Sequence, residues 1–540
     1  MHLMGGGSRS SPGDQGLSLS LLHGPTLATL AVAATVLWLV IFTRFPLGGF
    51  TRAAARASAP VLLRGIEPPV PALSAAKSRQ AQGQPRYNPK RAYQCWSVEI
   101  RPWSSKEVNR TASVCVVKAA CVDLPHKTVY LHKPPSVAHE DRRVLDALVG
   151  EGLSTTWRLN TSRDRQGMPS DSDGGDGDAT ASPAVVEGLT WLEDVTHAKS
   201  RQWNNINHFG EGSLIFAQAA WEAGLPAPST TLFWGIDPAS SAVPWMKLVA
   251  AAAARAGAAA GASLPPPPLR ALYRADLMRR QGGTTCYREL VGVSKNSELI
   301  NTPARTEGCD AVRAALHAAI GFRAARPGEL RRGGHWAWGA WARGWAAFRE
   351  GWDGGAAKGE VGQAGGGAPA RSVLLLQRST HGRRMRNGEE VVAFAARAAR
   401  RHGFAFDTAD FDMPPFRGDP AAQMRAFASA GVVVGFHGAG LTNVVAAAPG
   451  SVLVEIFNCG HQSWTYRNVA AACRVHHRRA PPLTTRRLEG FAGGLLDCAA
   501  DSVGRRFFNE NRTITEAELA PHLVWAMQVV AAERRLHGLY

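Results

Sequence analysis

An α/β fold with a parallel sheet in the C-terminal half is predicted from three observations. Between Ser372 and Phe457, short β-type runs alternate with helical periodicity at crossover spacing. Several of those runs are uninterrupted and apolar, the pattern of strands buried on both faces. One of them ends in Gly431-Val432-Val433-Val434-Gly435-Phe436-His437-Gly438-Ala439-Gly440-Leu441-Thr442-Asn443. There a strand runs into a loop holding one histidine and two glycines, and a helix is expected at or near Thr442 or Asn443.

Taken in order, Ser372 to Leu376 reads as the first strand and is followed by the basic segment Arg378 to Asn387. Asn387 stands three residues before Glu390, a capping-box spacing, ahead of a helix to about His402. Val391, Phe394, Ala395 and Ala398 share one face of it. Phe404 to Phe406 is a second strand, Pro420 to Ser429 a short helix, and Gly431 to Gly435 a third strand. Ser451 to Phe457 is the fourth and carries Glu455 inside an otherwise apolar run. The βα junctions of such a sheet bind ligands because backbone N–H groups and a helix N-terminus converge there. Gly438 and Gly440 would let the backbone approach an anion, and His437 is the loop side chain able to donate to a phosphate. Glu455 fits either a ribose diol or an edge carboxylate with a local arginine.

The order Arg378, Arg383-Arg384, Asn387, Glu390, His437 to Asn443, then Pro449 to Ile456 resembles the catalytic domain of glycosyltransferase family 61. Cys286-Tyr287-Arg288-Glu289, Asn301-Thr302-Pro303, Gly308-Cys309 and Glu455 to Cys459 look like the family's lumenal transferases, which place O-linked N-acetylglucosamine on EGF-type domains. Plant-type members, which transfer xylose or arabinose, are the other branch. The likeness covers about residues 204–478. It implies a GT-B-like fold with two Rossmann-like domains facing a cleft. It also implies a UDP-sugar donor held by Arg378, Arg383, His437, Gly438, Gly440, Thr442, Asn443 and Glu455, with no required metal cofactor. The family pattern further points to a Cys286–Cys309 disulfide. His208 and Glu211, three residues apart, share a helical face and match a His/acid pair of the family, although the nearest branch tends to have Asp at the second position. They read either as the catalytic base set or as a helix-capping pair. The rival fold is a single GT-A-like domain using an Asp-x-Asp site for Mn²⁺, for which Asp410-Phe411-Asp412 is the challenger.

At 540 residues the chain holds two domains with flanking sequence. Residues 1–25 form a short tail. The uncharged segment within residues 26–43 is as long as a short membrane span and reads as a signal anchor, with a stem over 44–90. An N-terminal acceptor-side domain is expected over 91–330, with disordered insertions at 162–184 and 250–268. A Trp- and Gly-rich insertion spans 331–370, either packing back on the domain or stacking on sugar faces. The nucleotide-sugar domain covers 371–480, and a closing segment 481–540. Within the last, Thr515 and Glu518 form a capping box, and Pro521 is expected to make the helix start again.

The net charge of +18 suits polyanions, including nucleotide sugars. Zinc-spaced C-x-x-C pairs and a basic stripe interleaved with aromatics are missing, so a nucleic-acid partner is not expected. Asp171 to Asp178 lacks the closing glutamate of a calcium loop. Topology signals conflict. Arg44, Arg52 and Arg56 after the span would place the large domain in the cytosol. The sequons at Asn109, Asn160 and Asn511, together with eight cysteines all beyond residue 90, favour the lumen. With the resemblance, the expectation is a single-pass type II protein of the Golgi or endoplasmic reticulum membrane acting on glycans or glycoproteins. The competing class is a membrane-anchored lectin or scaffold without activity.

Overall fold

The structure, a computed structural model, describes residues 86–101, 110–123, 128–131, 158–160, 185–194, 206–234, 238–256, 269–273, 284–293, 302–322, 369–379, 383–458, 463–480, 485–487, 495–497 and 511–537. All lie within the unit Ala75–Tyr540. The expected tail, anchor and stem (to residue 85), the insertion at 162–184 and residues 331–368 fall outside the described residues. Among the described residues no helix is long and apolar enough to cross a membrane.

The first lobe is built on an eight-stranded mixed sheet. Its strands are β1 (Tyr93–Ile100), β2 (Arg110–Asp123), β3 (Thr128–Leu131), β4 (Arg158–Asn160), β5 (Val185–Asp194), β6 (Thr230–Trp234), β7 (Arg270–Tyr273) and β8 (Thr284–Val293). Parallel β8-β5-β6-β7 form a Rossmann-like half with an order reversal between β5 and β8, and β8 pairs antiparallel with β2. β2 changes parity at Ala119, whose φ is +48°. Before it Cys115 and Val117, after it Ala120 and Val122, point to one face of the sheet. One residue out of step at this bulge keeps a long strand amphipathic. Helices α1 (Ile206–Ala223), α2 (Val243–Ala254) and α3 (Glu307–Ala319) pack on the opposite face.

Two expectations for this lobe are corrected. Ala250 to Ala254 are not an insertion loop: they complete α2, and Ala250, Ala252, Ala253 and Ala254 are buried. Alanine is the best helix former, and its small side chain lets helices approach closely. Cys286 and Cys309 are both in disulfides but not with each other. Cys286 faces Cys121 across the β2–β8 register and is bonded to it, while Cys309, in the first turn of α3, is bonded to Cys473 of the second lobe. A third bond joins Cys95 to Cys115 across β1 and β2.

The second lobe is a parallel five-stranded sheet of β9 (Ser372–Gln377), β10 (Ala405–Asp410), β11 (Val432–Phe436), β12 (Val452–Ile456) and β13 (His476–Ala480), in the order β10-β9-β11-β12-β13. α4 (Gly388–Arg401) and α7 (Glu516–Leu536) cover its outer face. α5 (Pro420–Ala428), a 3₁₀ helix at Ala439–Ala446 and α6 (Thr465–Ala472) cover the inner face and merge with the core of the first lobe. β14 (Thr485–Arg487) and β15 (Leu495–Asp497) form a separate pair. The fold is thus mixed α/β, two sheets flanked by helices in a GT-B-like arrangement.

Three local expectations differ here. The helix after β11 starts earlier, at Ala439, and is 3₁₀. Asn387 does begin α4, but without capping it. Its amide instead exchanges two hydrogen bonds with the Ile514 backbone, at 2.9 and 3.0 Å, and donates to Glu390. α7 runs through Pro521 without a break behind the Thr515–Glu518 capping box. The lost proline N–H costs one bond near the helix start, and buried Leu519, Leu523, Met527 and Val530 hold the axis.

Candidate active site

The strand order of the second sheet reverses between β9 and β11, and both connections leave at the C-terminal edge. Such a crevice binds ligands in doubly wound sheets. Arg378 directly follows β9 and His437 directly follows β11, so the topology places both expected anion contacts at this switch point. Arg383, held at φ +66°, returns the basic segment to the same loop and donates to the His437 carbonyl. A methyl carbon at Gly438 would stand 3.6 Å from guanidinium nitrogens of both Arg378 and Arg383. Burial, then the neighbouring Arg378 charge, draws the Arg383 pKa below the ordinary arginine value. Two guanidinium groups therefore converge on one glycine, a placement that an anion relieves.

The 3₁₀ helix adds donors. Its first intrahelical bond runs from Leu441 N–H to Gly438 O at 2.9 Å, so the N–H groups of Ala439 and Gly440 precede the ladder. The Thr442 and Asn443 side chains, expected on the substrate, are buried. Thr442 Oγ1 donates to Ala439 O at 2.7 Å, and Asn443 accepts from Trp245 Nε1 of α2 at 2.8 Å.

Glu455 is 0% exposed, with one oxygen bonded to His437 Nδ1 at 2.5 Å and the other to His477 Nε2 at 2.6 Å. Its partners are histidines rather than an arginine. The His437 ring packs with Phe457, stacked at 5.5 Å, and with Tyr466, tilted at 5.1 Å. Burial first, then the Glu455 charge, pushes the Tyr466 hydroxyl up, while its hydrogen bond with Thr442 opposes this.

Glu211 sits on α1 and is buried at the contact between lobes. A methyl carbon on its neighbour Gly210 would stand 2.9 Å from the Thr442 side chain. The Glu211 charge acts on Tyr466, so the candidate base is within electrostatic reach of the residue that walls His437. His208 lies in the same helix, with its side chain outside the described residues. Asp410-Phe411-Asp412 turns at the end of β10, where Asp410 Oδ1 accepts the Asp412 N–H at 2.9 Å and Phe411 packs on Gly440. Among the described residues no group of three His, Cys, Asp or Glu side chains is placed to hold a metal. Of the sequon asparagines, Asn109 and the Asn160 side chain fall outside the described residues. Asn511 accepts the Arg384 N–H at 3.0 Å.

Tyr466, His477 and Arg512 were not legible in the sequence. Arg512 is buried, donates to Phe457 O at 2.6 Å and pairs with Glu518. Each meets the site from another element, and no sequence spacing signals a contact between adjacent parallel strands.

Two lobes, with a basic glycine loop at the switch point of a parallel sheet, give the chain a GT-B-like form. In agreement, the model of the family described as Glycosyltransferase 61 matches residues 240–454. The chain carries a domain of glycosyltransferase family 61, a family of enzymes that transfer sugars from nucleotide-sugar donors. No curated protein matches the chain. Glu211, Glu455, Tyr466 and His477 lie outside the matched residues.

Proposed function

We propose that this protein is an inverting glycosyltransferase that moves a sugar from a UDP-sugar to a hydroxyl of a secretory-pathway protein or glycan. The observation that carries the proposal is the convergence of Arg378, Arg383, His437 and the Ala439–Gly440 N–H groups at one switch point. They suit the diphosphate, where negative charge develops as the glycosidic bond breaks. Glu211 takes the acceptor hydroxyl proton. The acceptor oxygen then bonds to the anomeric carbon from the opposite face, and the bonding pair leaves with UDP. Three disulfides support an oxidising compartment, in line with a type II lumenal enzyme of the Golgi or endoplasmic reticulum. N-acetylglucosamine is favoured over a pentose by the Cys286 to Cys309 segment.

Turnover of UDP-N-acetylglucosamine, UDP-xylose and UDP-arabinose by the purified protein tests this. His437→Ala or Arg378→Ala should lower turnover by about 10²-fold, the scale for losing a positioned transition-state donor. Glu211→Gln should bind UDP nearly normally and transfer poorly. Normal transfer by the Glu211 variant refutes the base assignment. Absence of both turnover and UDP binding in the wild type would support a scaffold instead.

A further inference from the structure

The carbonyls of the glycine loop are held one after another. Gly438 O accepts the Leu441 N–H at 2.9 Å, Ala439 O the Thr442 hydroxyl at 2.7 Å, and Gly440 O the Asn443 side-chain amide at 3.0 Å. In a trans peptide the C=O and the following N–H point opposite ways. Bonds that draw the first two oxygens along the 3₁₀ helix therefore turn the Ala439 and Gly440 N–H groups out of its N-terminus. The Asn443 bond fixes the third peptide, whose N–H closes the first turn.

Asn443 is itself set by a network with one assignment. The Trp245 indole only donates, so its 2.8 Å bond draws Asn443 Oδ1 and leaves the Nδ2 hydrogens for Gly440 O and, at 3.2 Å, for Gln423 Oε1. Gln423 Nε2 in turn donates to Phe416 O at 3.0 Å. Trp245 and Asn443 are both buried, and a buried network matched donor to acceptor holds one arrangement. Trp245 belongs to α2 of the first lobe, whereas Asn443 and Gly440 belong to the second. Phe209 packs edge-on to its ring at 6.3 Å, and a methyl carbon at Gly210 would stand 3.3 Å from it. On the reading of the loop as the diphosphate site, we propose that Trp245 is a positioning residue. Acting through Asn443, it makes the first lobe hold the glycine loop in the form that binds the donor diphosphate. Nucleotide binding and this contact between the lobes therefore favour each other.

Trp245→Phe keeps a ring in the contact but removes the N–H, leaving Asn443 Oδ1 buried without a donor. Calorimetry of the full chain, well below its melting temperature, should show UDP bound about fivefold or more weakly. Asn443→Asp keeps the shape and the Trp245 bond but sets a carboxylate oxygen against Gly440 O, so its loss should be larger. In an Asn443→Ala background Trp245→Phe should cost nothing further, because the effect runs through Asn443. In the wild type, UDP should shift an indole ¹H–¹⁵N resonance that resists exchange with D₂O, a readout that needs no variant to fold. A role in packing alone would lower the melting temperature of Trp245→Phe, leave its UDP affinity unchanged and shift no protected indole. That result, or additive losses in the double variant, overturns the proposal while leaving the diphosphate site standing. Absence of UDP binding by the wild type overturns both.

Discussion

At Gly438 it is the missing side chain, not the backbone, that bears on the proposed site. Its φ of 169° is extended and open to any residue, and a methyl carbon there would make ordinary contacts at 3.6 Å. Folding therefore does not demand glycine, but a methyl would occupy the space between Arg378, Arg383 and the loop N–H groups. Gly438→Ala is expected to keep the wild-type melting temperature and to weaken UDP binding about tenfold or more, as loss of charge-assisted contacts does. Calorimetry of unfolding and of UDP binding checks both halves. Gly431 is the contrast, since a methyl carbon there would stand 1.9 Å from the Ala370 carbonyl oxygen.

At the scale of elements, α7 and its lead-in hold the site from behind. Residues 511–514 bond to 384–387, and Arg512 braces Phe457. Where α7 crosses β13, Arg478 Nε donates to His522 Nδ1 at 3.0 Å and its guanidinium lies over Trp525. Burial, then the Arg478 charge, lowers the His522 pKa from 6.5 to about 4. The unfolded chain thus binds this proton first, so the contribution of His522 is full above pH 6.5 and is lost as pH falls toward 4. The melting temperature should drop over that window. His522→Asn, which keeps an acceptor but cannot titrate, should drop less between pH 6.5 and 5.

Across the whole molecule, the lobes are fastened as well as packed. Besides Cys309–Cys473, Arg313 donates to Cys473 O at 2.9 Å and His317 meets Ala446 O at 2.7 Å. Trp245 bonds Asn443 inside the 3₁₀ helix that follows His437. Replacing Cys309 and Cys473 together by serine should cost about 2–5 kcal/mol of stability, the usual range for a native disulfide. On the proposed function it should also lower kcat, because the contact between the lobes positions the candidate base Glu211 against the donor loop. Replacing Cys95 and Cys115, both within the first sheet, should destabilise without that change in kcat. Denaturant unfolding and donor kinetics on the two double variants separate the cases.

The sequence by itself determined the parallel core, because buried β-runs such as Val432-Val433-Val434 and Val452-Leu453-Val454 declare themselves by local composition. It also determined the basic segment and the glycine loop, whose residues are contiguous. Only the tertiary structure decided what those residues face. Glu455 lies on an inward strand face, but whether it meets a ribose or two histidines depends on which strand is its neighbour, and β13 brings His477. The Cys309 partner was equally hidden, since it lies 164 residues away in the other lobe. Local periodicity carries the identity of an element; register and lobe packing, set by contacts remote in sequence, carry the identity of its partners.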